Sequence, residues 1–470
     1  MGKLRAGGFH IYAGGFTLGV KKHFKIMGHL EEGGAWGRAI GKHVQATKDN
    51  LPRVPIYLGS DTWPLDEWKD LDMLYGNPPC AAWSAMGPRA FRGTDAWKTD
   101  GRVSFAKIGF ALQEKLEPKV WVWESVMGAY RQGRELVDEF TKSAIKRGYD
   151  VSYFLHNGKW FGLPQHRERF FMVVSNIEID WKPPAFDKPM TVSEVFKTLD
   201  GKGDQDVLSL GNLPKSFIKS VKQGEPLRTA RDPFVAANPD IYVPKTGFAY
   251  RRMKADREAY GLVGAIYIHP TKNRYLTIEE NLALCGYPTT YKLTGRPGQK
   301  VACIAQAVMP PTGEWIAKTV ARSVRRGKPA TSTIREVDYR RPLAGSSGIR
   351  ELEKPKGRAL RWKIKDWLKS DDGGREQSED VSSSPSEPSA GARVSPSRPS
   401  SSPRRNTDKK AAAKRGERGG CGYRIREMLL EGKGNDQILT MIRKEFPWSK
   451  AGPSDISWNK SKLAKQGNVA

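Results

Sequence analysis

Cysteine is scarce in this chain: Cys80, Cys285, Cys303 and Cys421 are its four cysteines among 470 residues. Their spacing matches neither a zinc knuckle nor a disulfide framework, so we expect free thiols, no metal site and a reducing compartment. Long apolar runs are missing too. None approaches the length of a membrane span, and the N-terminus lacks a signal-peptide core. These absences predict a soluble, cytoplasmic protein.

Acidic residues are outnumbered by basic ones, 51 against 79, which leaves a formal net charge of +28. Such an excess favours binding of a polyanion over binding of a small acidic substrate. Part of the positive charge belongs to the C-terminal tail. The composition therefore predicts a nucleic-acid partner.

The N-terminal part of the chain alternates strand-like apolar runs with helical patterns. The alternation extends from Phe9 to about Asn176, with helical patterns at 103–116 and 134–147. This rhythm is typical of a parallel sheet covered by helices. We therefore predict an α/β fold with a Rossmann-like sheet.

Cys80 follows the short apolar run 73–75 and the dipeptide Pro78-Pro79. The two prolines prevent both a continued strand and an early helix, so the chain must turn sharply there. The turn would present Cys80 at the carboxyl edge of the sheet, where open α/β sheets bind ligands. The alternative is a buried cysteine that packs as a small hydrophobic residue.

Several other segments, taken together with the Cys80 segment and in chain order, resemble the motifs of the DNA cytosine-5 methyltransferase family. The resemblance covers roughly residues 9–320. Its segments are 10–19 for the first motif, 79–87 for the fourth, 120–126 for the sixth, 162–169 for the eighth, 274–280 with 286–288 for the ninth, and 305–311 for the tenth.

The resemblance implies a catalytic site. Cytosine C5 is a poor nucleophile, and in this family a cysteine thiolate first adds to C6; that role falls to Cys80. Glu124, a carboxyl after an apolar run, is expected to have a raised pKa and to donate a hydrogen bond to N3 of the base. Arg169 would meet O2 of the base, Arg167 would steady the site, and both would help to form the thiolate. Taken singly, the favoured interpretations are a helix-capping carboxylate for Glu124 and a solvated surface pair for the arginines; taken jointly and in this order, the residues favour the catalytic site.

The resemblance also implies S-adenosylmethionine as cofactor. Glu31, at the end of a second strand, would accept hydrogen bonds from ribose hydroxyls. Asp61 would contact the adenine, Tyr12 would stack near it, and Gln306 would close the pocket. Strand-end acids are also common helix caps. The full set of expected cofactor residues is Tyr12, Ala13, Gly14, Gly15, Glu31, Asp61, Thr62, Pro79 and Gln306.

Four positions depart from the family's usual residues. His10 stands in place of aspartate, Ala81 of glutamine, Ser125 of asparagine and Gln306 of asparagine. Two alternatives therefore stay open. One is a catalytically silent DNA-binding relative, and the other is a related enzyme that adds a different group to cytosine C5 or acts on RNA.

Domain organisation follows from the motifs and from shifts in composition. The interval between the eighth and ninth motifs carries basic residues interleaved with Phe217, Phe234, Tyr242, Phe248 and Tyr250, which suits phosphate and base contacts. We predict these parts: a catalytic domain at 1–178, a smaller target-recognition region at 179–272, a return to the catalytic domain at 273–325, a basic extension at 326–370, a disordered linker at 371–420 and a small helical module at 421–470.

The C-terminal module shows two apolar stripes, from Ile425 to Leu429 and from Ile438 to Ile442. A third helix is expected from Ser454. In outline the module resembles helix-turn-helix DNA-binding modules, and a protein-interaction module is the alternative. The architecture as a whole predicts a bacterial or bacteriophage enzyme for restriction-modification or anti-restriction, a monomer that acts on double-stranded DNA.

Overall fold

The computed structural model describes residues 2–32, 37–85, 93–184, 188–247, 250–262, 267–341, 346–357, 421–431 and 433–445, together with Ile456 and Asn459. The chain forms two compact units, Met1–Ala390 and Gly391–Ala470. The predicted linker at 371–420 and most of the predicted third C-terminal helix lie outside the described residues.

The strands of the first unit are short, and most coincide with apolar runs in the sequence. Within the described residues they are β1 (Arg5–Phe9), β2 (Lys25–Glu31), β3 (Ile56–Leu58), β4 (Met73–Gly76), β5 (Val120–Ser125), β6 (Asp150–Asn157), β7 (Gln165–His166), β8 (Glu168–Ser175), β9 (Arg251–Arg252), β10 (Ala259–Tyr260), β11 (Tyr267–Ile268), β12 (Ile334–Tyr339) and β13 (Ile349–Leu352).

The helices alternate with these strands in the N-terminal half. They are α1 (Gly15–Val20), α2 (Gly37–Asn50), α3 (Val103–Leu116), α4 (Met127–Arg131), α5 (Arg134–Lys146), α6 (Val192–Lys197), α7 (Lys215–Ser220), α8 (Leu227–Ala237), α9 (Ile278–Leu284), α10 (Pro297–Gln306) and α11 (Pro310–Arg326), with α12 (Cys421–Leu430) and α13 (Asn435–Glu445) in the second unit.

Nine strands form one sheet in the order β13-β12-β6-β8-β5-β4-β1-β2-β3. The strands from β5 to β3 are parallel to one another, and β8 runs antiparallel to both of its neighbours. The α/β, Rossmann-like fold predicted from the sequence is therefore confirmed. Because the parallel strands point the same way, the loops that follow them meet at one edge of the sheet.

Helices cover both faces of this sheet. On β5, Trp121 and Trp123 pack against Phe110 of α3 and Phe140 of α5. Val122 belongs to the opposite layer, which includes α1 and α11. Side chains alternate between the two faces of a strand, so a continuous apolar run such as β5 indicates a strand buried on both faces.

The smaller region between β8 and α9 has a core of its own. Phe217 is fully buried there and packs against Phe234, while Tyr242 is exposed. Among the aromatics whose pattern suits base contacts, Phe217 is therefore a core residue whose ring is not exposed to a base. Phe248 lies outside the described residues.

Arg252 is the polar centre of this smaller region. Its buried guanidinium donates to the carbonyl oxygens of Val221, Ile218 and His269 at 2.8, 2.5 and 2.9 Å. A buried charge is tolerated only when its donors are satisfied in this way. Arg252 therefore belongs to the structural core and not to a solvated turn.

Two strands at the edge of the sheet, β12 and β13, were not predicted from the sequence. They lie in the segment described above as a basic extension, and β12 pairs in parallel with β6 along its whole length. Ile334, Val337 and Tyr339 of β12 are buried in the main cores. The mixture of these apolar residues with charged ones is itself a signal of a half-buried strand, and it was read from the sequence only as a basic segment.

In the second unit, α12 and α13 pack their apolar stripes together. Ile425 and Met428 are buried with Ile438 and Ile442, and Ile456 joins the same cluster. Within the parts of both units that the structure describes, none of the helices combines the length and apolarity needed to cross a bilayer. Those parts also hold no group of three His, Cys, Asp or Glu side chains arranged to bind a metal.

The contact between α1 and α11 allows a stability test. A Cβ atom on Gly19 would lie 2.2 Å from the backbone nitrogen of Glu314. We expect Gly19→Ala to destabilise the protein by about 1–3 kcal/mol, because overpacking forces backbone shifts. The midpoint of urea denaturation measures the effect. Gly101→Ala is the matched control, since an added Cβ there meets nothing within 4 Å; equal midpoints for both variants would contradict the close packing.

Candidate active site

The turn between β1 and α1 has an unusual backbone. His10 and Tyr12 have φ values of 49° and 52°, and Gly14 has 73°. The left-handed region costs a non-glycine residue roughly 1–2 kcal/mol. At Gly15 a Cβ would lie 2.3 Å from the carbonyl oxygen of Val308. The turn is therefore strained and closely packed, which is common where backbone approaches a ligand.

Neighbouring side chains hold the turn in this shape. The Tyr291 hydroxyl donates to the carbonyl oxygen of Ala13 at 2.5 Å, and the Thr47 hydroxyl donates to that of Tyr12 at 3.0 Å. The amide of Gly14 donates to the carbonyl of Ile11 at 3.2 Å. The predicted cofactor turn is thus fixed by groups from α2 and from the segment after α9.

Glu31 ends β2 directly beside this turn, as predicted. Its buried carboxyl accepts a hydrogen bond from the Ile11 amide at 2.9 Å and lies 3.5 Å from Nδ1 of His10. Burial raises the pKa of Glu31 to about 8, against the opposing effect of the Ile11 amide. Burial also lowers the pKa of His10 to about 3. At neutral pH the pair is thus an uncharged imidazole beside a protonated carboxyl.

Asp61 and Thr62 lie at the same sheet edge. β3 pairs in register with β2, so that Leu58 lies opposite Glu31. The strand ends at Leu58, however, and Asp61 and Thr62 belong to a short 3₁₀ helix, Ser60–Thr62, where both are exposed. The sequence suggested that Asp61 ends the third strand. In the structure Asp61 lies beyond the end of β3.

Asn77 links the loop that carries Cys80 to the end of α10. Its amide donates to the backbone carbonyl of Gln306 at 3.0 Å, and its own Oδ1 is buried without a hydrogen-bond partner in the described part of the chain. Gln306 is exposed, and its side chain hydrogen-bonds to His43. The sequence analysis missed Asn77, although an asparagine between a buried strand and two prolines was a signal for it.

The loop that carries Cys80 is anchored by a tryptophan. Cys80 and Pro79 are half-buried, and the amide of Trp83 donates to the carbonyl of Cys80 at 3.1 Å. The Trp83 ring is buried between Trp97 and Trp123, at centroid distances of 6.2 and 5.9 Å. Trp83 lies within the segment 79–87 that resembles the fourth motif, but its anchoring role was not predicted, because it depends on contacts with residues distant in sequence.

Glu124 and Arg169 form an ion pair at this edge. Nε of Arg169 lies 3.1 Å from Oε1 of Glu124, whose side chain is buried. Burial raises the pKa of Glu124, while Arg169 and then Arg167 oppose that shift. The direction is the one expected from the sequence. Ser125, next in β5, is buried, and its hydroxyl lacks a hydrogen-bond partner among the described residues.

Arg167 is buried and is not a solvated surface residue. Its guanidinium donates to the carbonyl oxygens of Leu262, Ala305 and Ala307 at 2.9, 2.8 and 3.3 Å. Burial is the main cause that lowers its pKa, to about 10. The side chain therefore joins the smaller region and the end of α10 to the catalytic edge.

Cys80 lies within the electric field of these groups. Burial raises the pKa of its thiol, and the Glu124 carboxylate raises it further, while Arg169 and Arg167 lower it. The positive neighbourhood predicted for the thiol is thus present, but burial outweighs it. A carboxylate nearby repels a thiolate, so the charge state of Glu124 controls how easily Cys80 ionises.

Tyr12 connects the two halves of the site. Its ring packs edge-on against His43 at 5.0 Å. Burial is the main cause that raises the pKa of its phenol. The negative charges of Cys80, Glu31 and Glu124 raise this pKa further. The phenol therefore lies within the electrostatic influence of both the Glu31 carboxyl and the Cys80 thiol.

Most of this chain is similar to known proteins. The model of the family described as C-5 cytosine-specific DNA methylase matches residues 10–322. A protein of Methanocaldococcus jannaschii assigned as type II methyltransferase M.MJ0563P is 25% identical over 325 residues, which is 66% of this chain and 97% of that protein. Type II methyltransferase M.AplI of Arthrospira platensis is 24% identical over 341 residues, 70% of this chain and 88% of the relative.

The fold is found again in a solved structure. A prophage-encoded E. coli protein assigned as a DNA modification methyltransferase superimposes with a TM-score of 0.51 at 16% identity. The match covers 68% of this chain and 99% of the other. At this identity the likeness concerns the fold alone.

The pH dependence of Cys80 alkylation tests the field around the thiol. We expect Glu124→Gln to move the midpoint of the iodoacetamide reaction to lower pH, because it removes a repelling carboxylate. Arg169→Gln should move the midpoint to higher pH. Peptide mass spectrometry separates Cys80 from the buried Cys285 and Cys303. Unchanged midpoints in both variants would contradict the described contacts.

The pH dependence of stability tests Glu31. A carboxyl whose pKa rises from 4.5 to about 8 on folding holds a proton that the unfolded chain loses, so its stabilising effect decreases as pH rises through this window. Glu31→Gln keeps the acceptor for Ile11 and cannot ionise. We expect the variant's thermal midpoint, relative to wild type, to rise between these pH values. A difference that is constant with pH would contradict the buried, protonated carboxyl.

Proposed function

This chain belongs to the C-5 cytosine-specific DNA methylase family, and we propose that it methylates C5 of a cytosine extruded from double-stranded DNA, with S-adenosylmethionine as methyl donor. The observation that carries the proposal is the convergence of the Cys80 thiol, the buried Glu124 carboxyl and two arginines at one sheet edge. Extrusion of a base costs a few kcal/mol and delivers its ring to such a pocket.

The groups around the β1–α1 turn suit an adenosine-bearing cofactor. Glu31 offers an acceptor to ribose hydroxyls, Tyr12 offers a ring face, and the buried Oδ1 of Asn77 has no partner among the described residues. S-adenosylmethionine, when bound, supplies an electrophilic methyl group. We assign its binding to Tyr12, Ala13, Gly14, Gly15, Glu31, Asp61, Thr62, Pro79 and Gln306.

Cys80 begins the proposed reaction. Its thiolate forms a bond to C6 of cytosine, and the electron pair of the C5–C6 double bond moves towards N3. A protonated Glu124 donates to N3 and balances this charge, which a carboxyl with a raised pKa can do. Arg169 donates to O2 of the base, and Arg167 holds the loop. C5 would then take the methyl group of S-adenosylmethionine held by the residues named above, and the cofactor would leave as the neutral thioether. Solvent water would take the C5 proton, the C5–H electron pair would re-form the C5–C6 double bond, and the Cys80–C6 bond would break with its electron pair returning to sulfur.

The proposal includes the cellular setting. We infer a monomer that acts on double-stranded DNA, without a metal, in the cytoplasm of a bacterial or phage-infected cell. The free thiols of Cys80, Cys285 and Cys303 support a reducing compartment. The assignment of relatives as type II methyltransferases supports a DNA-modification role.

Mass spectrometry of nucleosides tests the reaction. Cytosine-rich plasmid DNA is incubated with S-adenosylmethionine and either wild type, Cys80→Ala or Cys303→Ala. We expect 5-methylcytosine with wild type and with Cys303→Ala, a buried cysteine outside the site, and a rate lower by on the order of 10⁴-fold or more with Cys80→Ala, because the nucleophile is lost. A product of another mass, or modification of transfer RNA but not of DNA, would contradict the proposal.

A modified substrate tests the covalent step separately. In a duplex that carries 5-fluorocytosine, the fluorine cannot leave C5 as a proton does, so the Cys80–C6 bond should persist. Denaturing electrophoresis should then show a protein–DNA complex with wild type and none with Cys80→Ala. A complex that forms equally with Cys80→Ala would contradict the assigned nucleophile.

A further inference from the structure

The β12–β13 hairpin lies beyond the family match, which ends at residue 322. β12 runs parallel to β6, with Tyr339 opposite His156. β6 is in turn parallel to β5, because both are antiparallel to β8. The chain therefore leaves β12 at the edge of the sheet that carries Glu124, and Arg340 and Arg341 are the first residues there.

The hairpin is firmly attached to the sheet at both ends of β12. Where the strand begins, the Asp150 carboxylate accepts hydrogen bonds from the amides of Thr331 and Thr333 at 3.0 and 2.8 Å. Where it ends, the indole of Trp160 donates to the carbonyl of Arg340 at 3.2 Å. Arg340 and Arg341 are therefore held in place by the body of the enzyme.

Two adjoining cavities, of about 290 and 250 Å³, lie at this edge and share Glu168, Arg340 and Arg341. Arg131 lines the first, and Lys159 lines the second. Each cavity is below the roughly 300–1,000 Å³ typical of small-molecule sites, and the residues that line both cavities are mostly charged or polar. The place therefore suits a charged group of a larger partner.

The cleft is lined by four cationic side chains, those of Arg131, Lys159, Arg340 and Arg341, and by two carboxylates, those of Glu168 and Asp338, so its charge is positive. Arg340 is neutralised by Asp338, with which it makes two hydrogen bonds of 2.9 and 2.5 Å, and Lys159 is paired with Glu258 at 2.8 Å. Arg131 and Arg341 are exposed and have neither a hydrogen bond nor an ion pair with other described residues. Two arginines thus remain available to an anion.

The cleft adjoins the proposed catalytic site. Glu168 in its wall is followed in β8 by Arg169, whose guanidinium contacts Glu124. We propose that Arg131 and Arg341 bind backbone phosphates of duplex DNA beside the target cytosine. This inference rests on the proposed function, and the chemistry is that of guanidinium groups with phosphate oxygens. The hairpin thereby extends the DNA-binding surface beyond the part shared with the family.

The salt dependence of binding tests the cleft. Dissociation constants of a cytosine-containing duplex are measured over a series of salt concentrations for wild type, Arg341→Glu, Arg131→Glu and the double variant. Loss of one phosphate contact reduces the slope of log K against log salt by about 1 and weakens binding to all duplex sequences alike. We expect this reduction in each single variant and about twice as much in the double variant.

Arg325→Glu is the matched control. Arg325 is an exposed arginine at the end of α11, at the opposite edge of the sheet, and has no ion pair with other described residues. Arg325→Glu should keep the salt slope of wild type. All variants should also keep the wild-type affinity for S-adenosylmethionine, and this measurement excludes misfolding. Wild-type slopes for Arg341→Glu and Arg131→Glu would overturn the proposal. Weakened binding of transfer RNA with unchanged duplex binding would also overturn it.

The salt-slope experiment and the 5-methylcytosine assay can fail independently of each other. A wild-type protein that binds duplex DNA but forms no 5-methylcytosine contradicts the proposed function, and its salt slopes still decide the role of the cleft. A wild-type protein that methylates DNA, with variants whose slopes are unchanged, contradicts the cleft alone.

Discussion

The buried guanidinium of Arg167 is the contact on which the site most depends. It joins three segments by hydrogen bonds to the carbonyls of Leu262, Ala305 and Ala307. A charged group removed from water costs several kcal/mol unless all its donors are satisfied. The smaller region, the end of α10 and the sheet edge that carries Glu124 must therefore be assembled together.

Opposing electrostatic effects follow from this enclosure. Burial raises the pKa values of both Cys80 and Glu124, and the two arginines oppose both shifts. The repulsion between a thiolate and a carboxylate disappears when Glu124 holds a proton, which is also the form that donates to a base. An ionised Cys80 beside a protonated Glu124 is therefore the combination that suits addition to cytosine.

The β12–β13 hairpin has two consequences for the sheet to which it is added. An exposed edge strand presents unpaired backbone groups, and here β12 and β13 cover β6. The same pairing directs the end of β12 to the catalytic edge, because parallel strands share one direction. Protection of an edge and the placement of Arg341 are thus two consequences of one backbone pairing.

The sequence by itself determined the α/β rhythm, the turn after β4 that presents Cys80, the strand end at Glu31, the place of Glu124 after an apolar run and the order of the motifs. All of these depend on residues close together in the chain. Tertiary structure alone decided the role of β12, the burial of Phe217, the anchoring by Trp83 and the contacts of Arg167. These depend on residues far apart in sequence, and a pKa such as that of Cys80 sums burial and charges from several such segments.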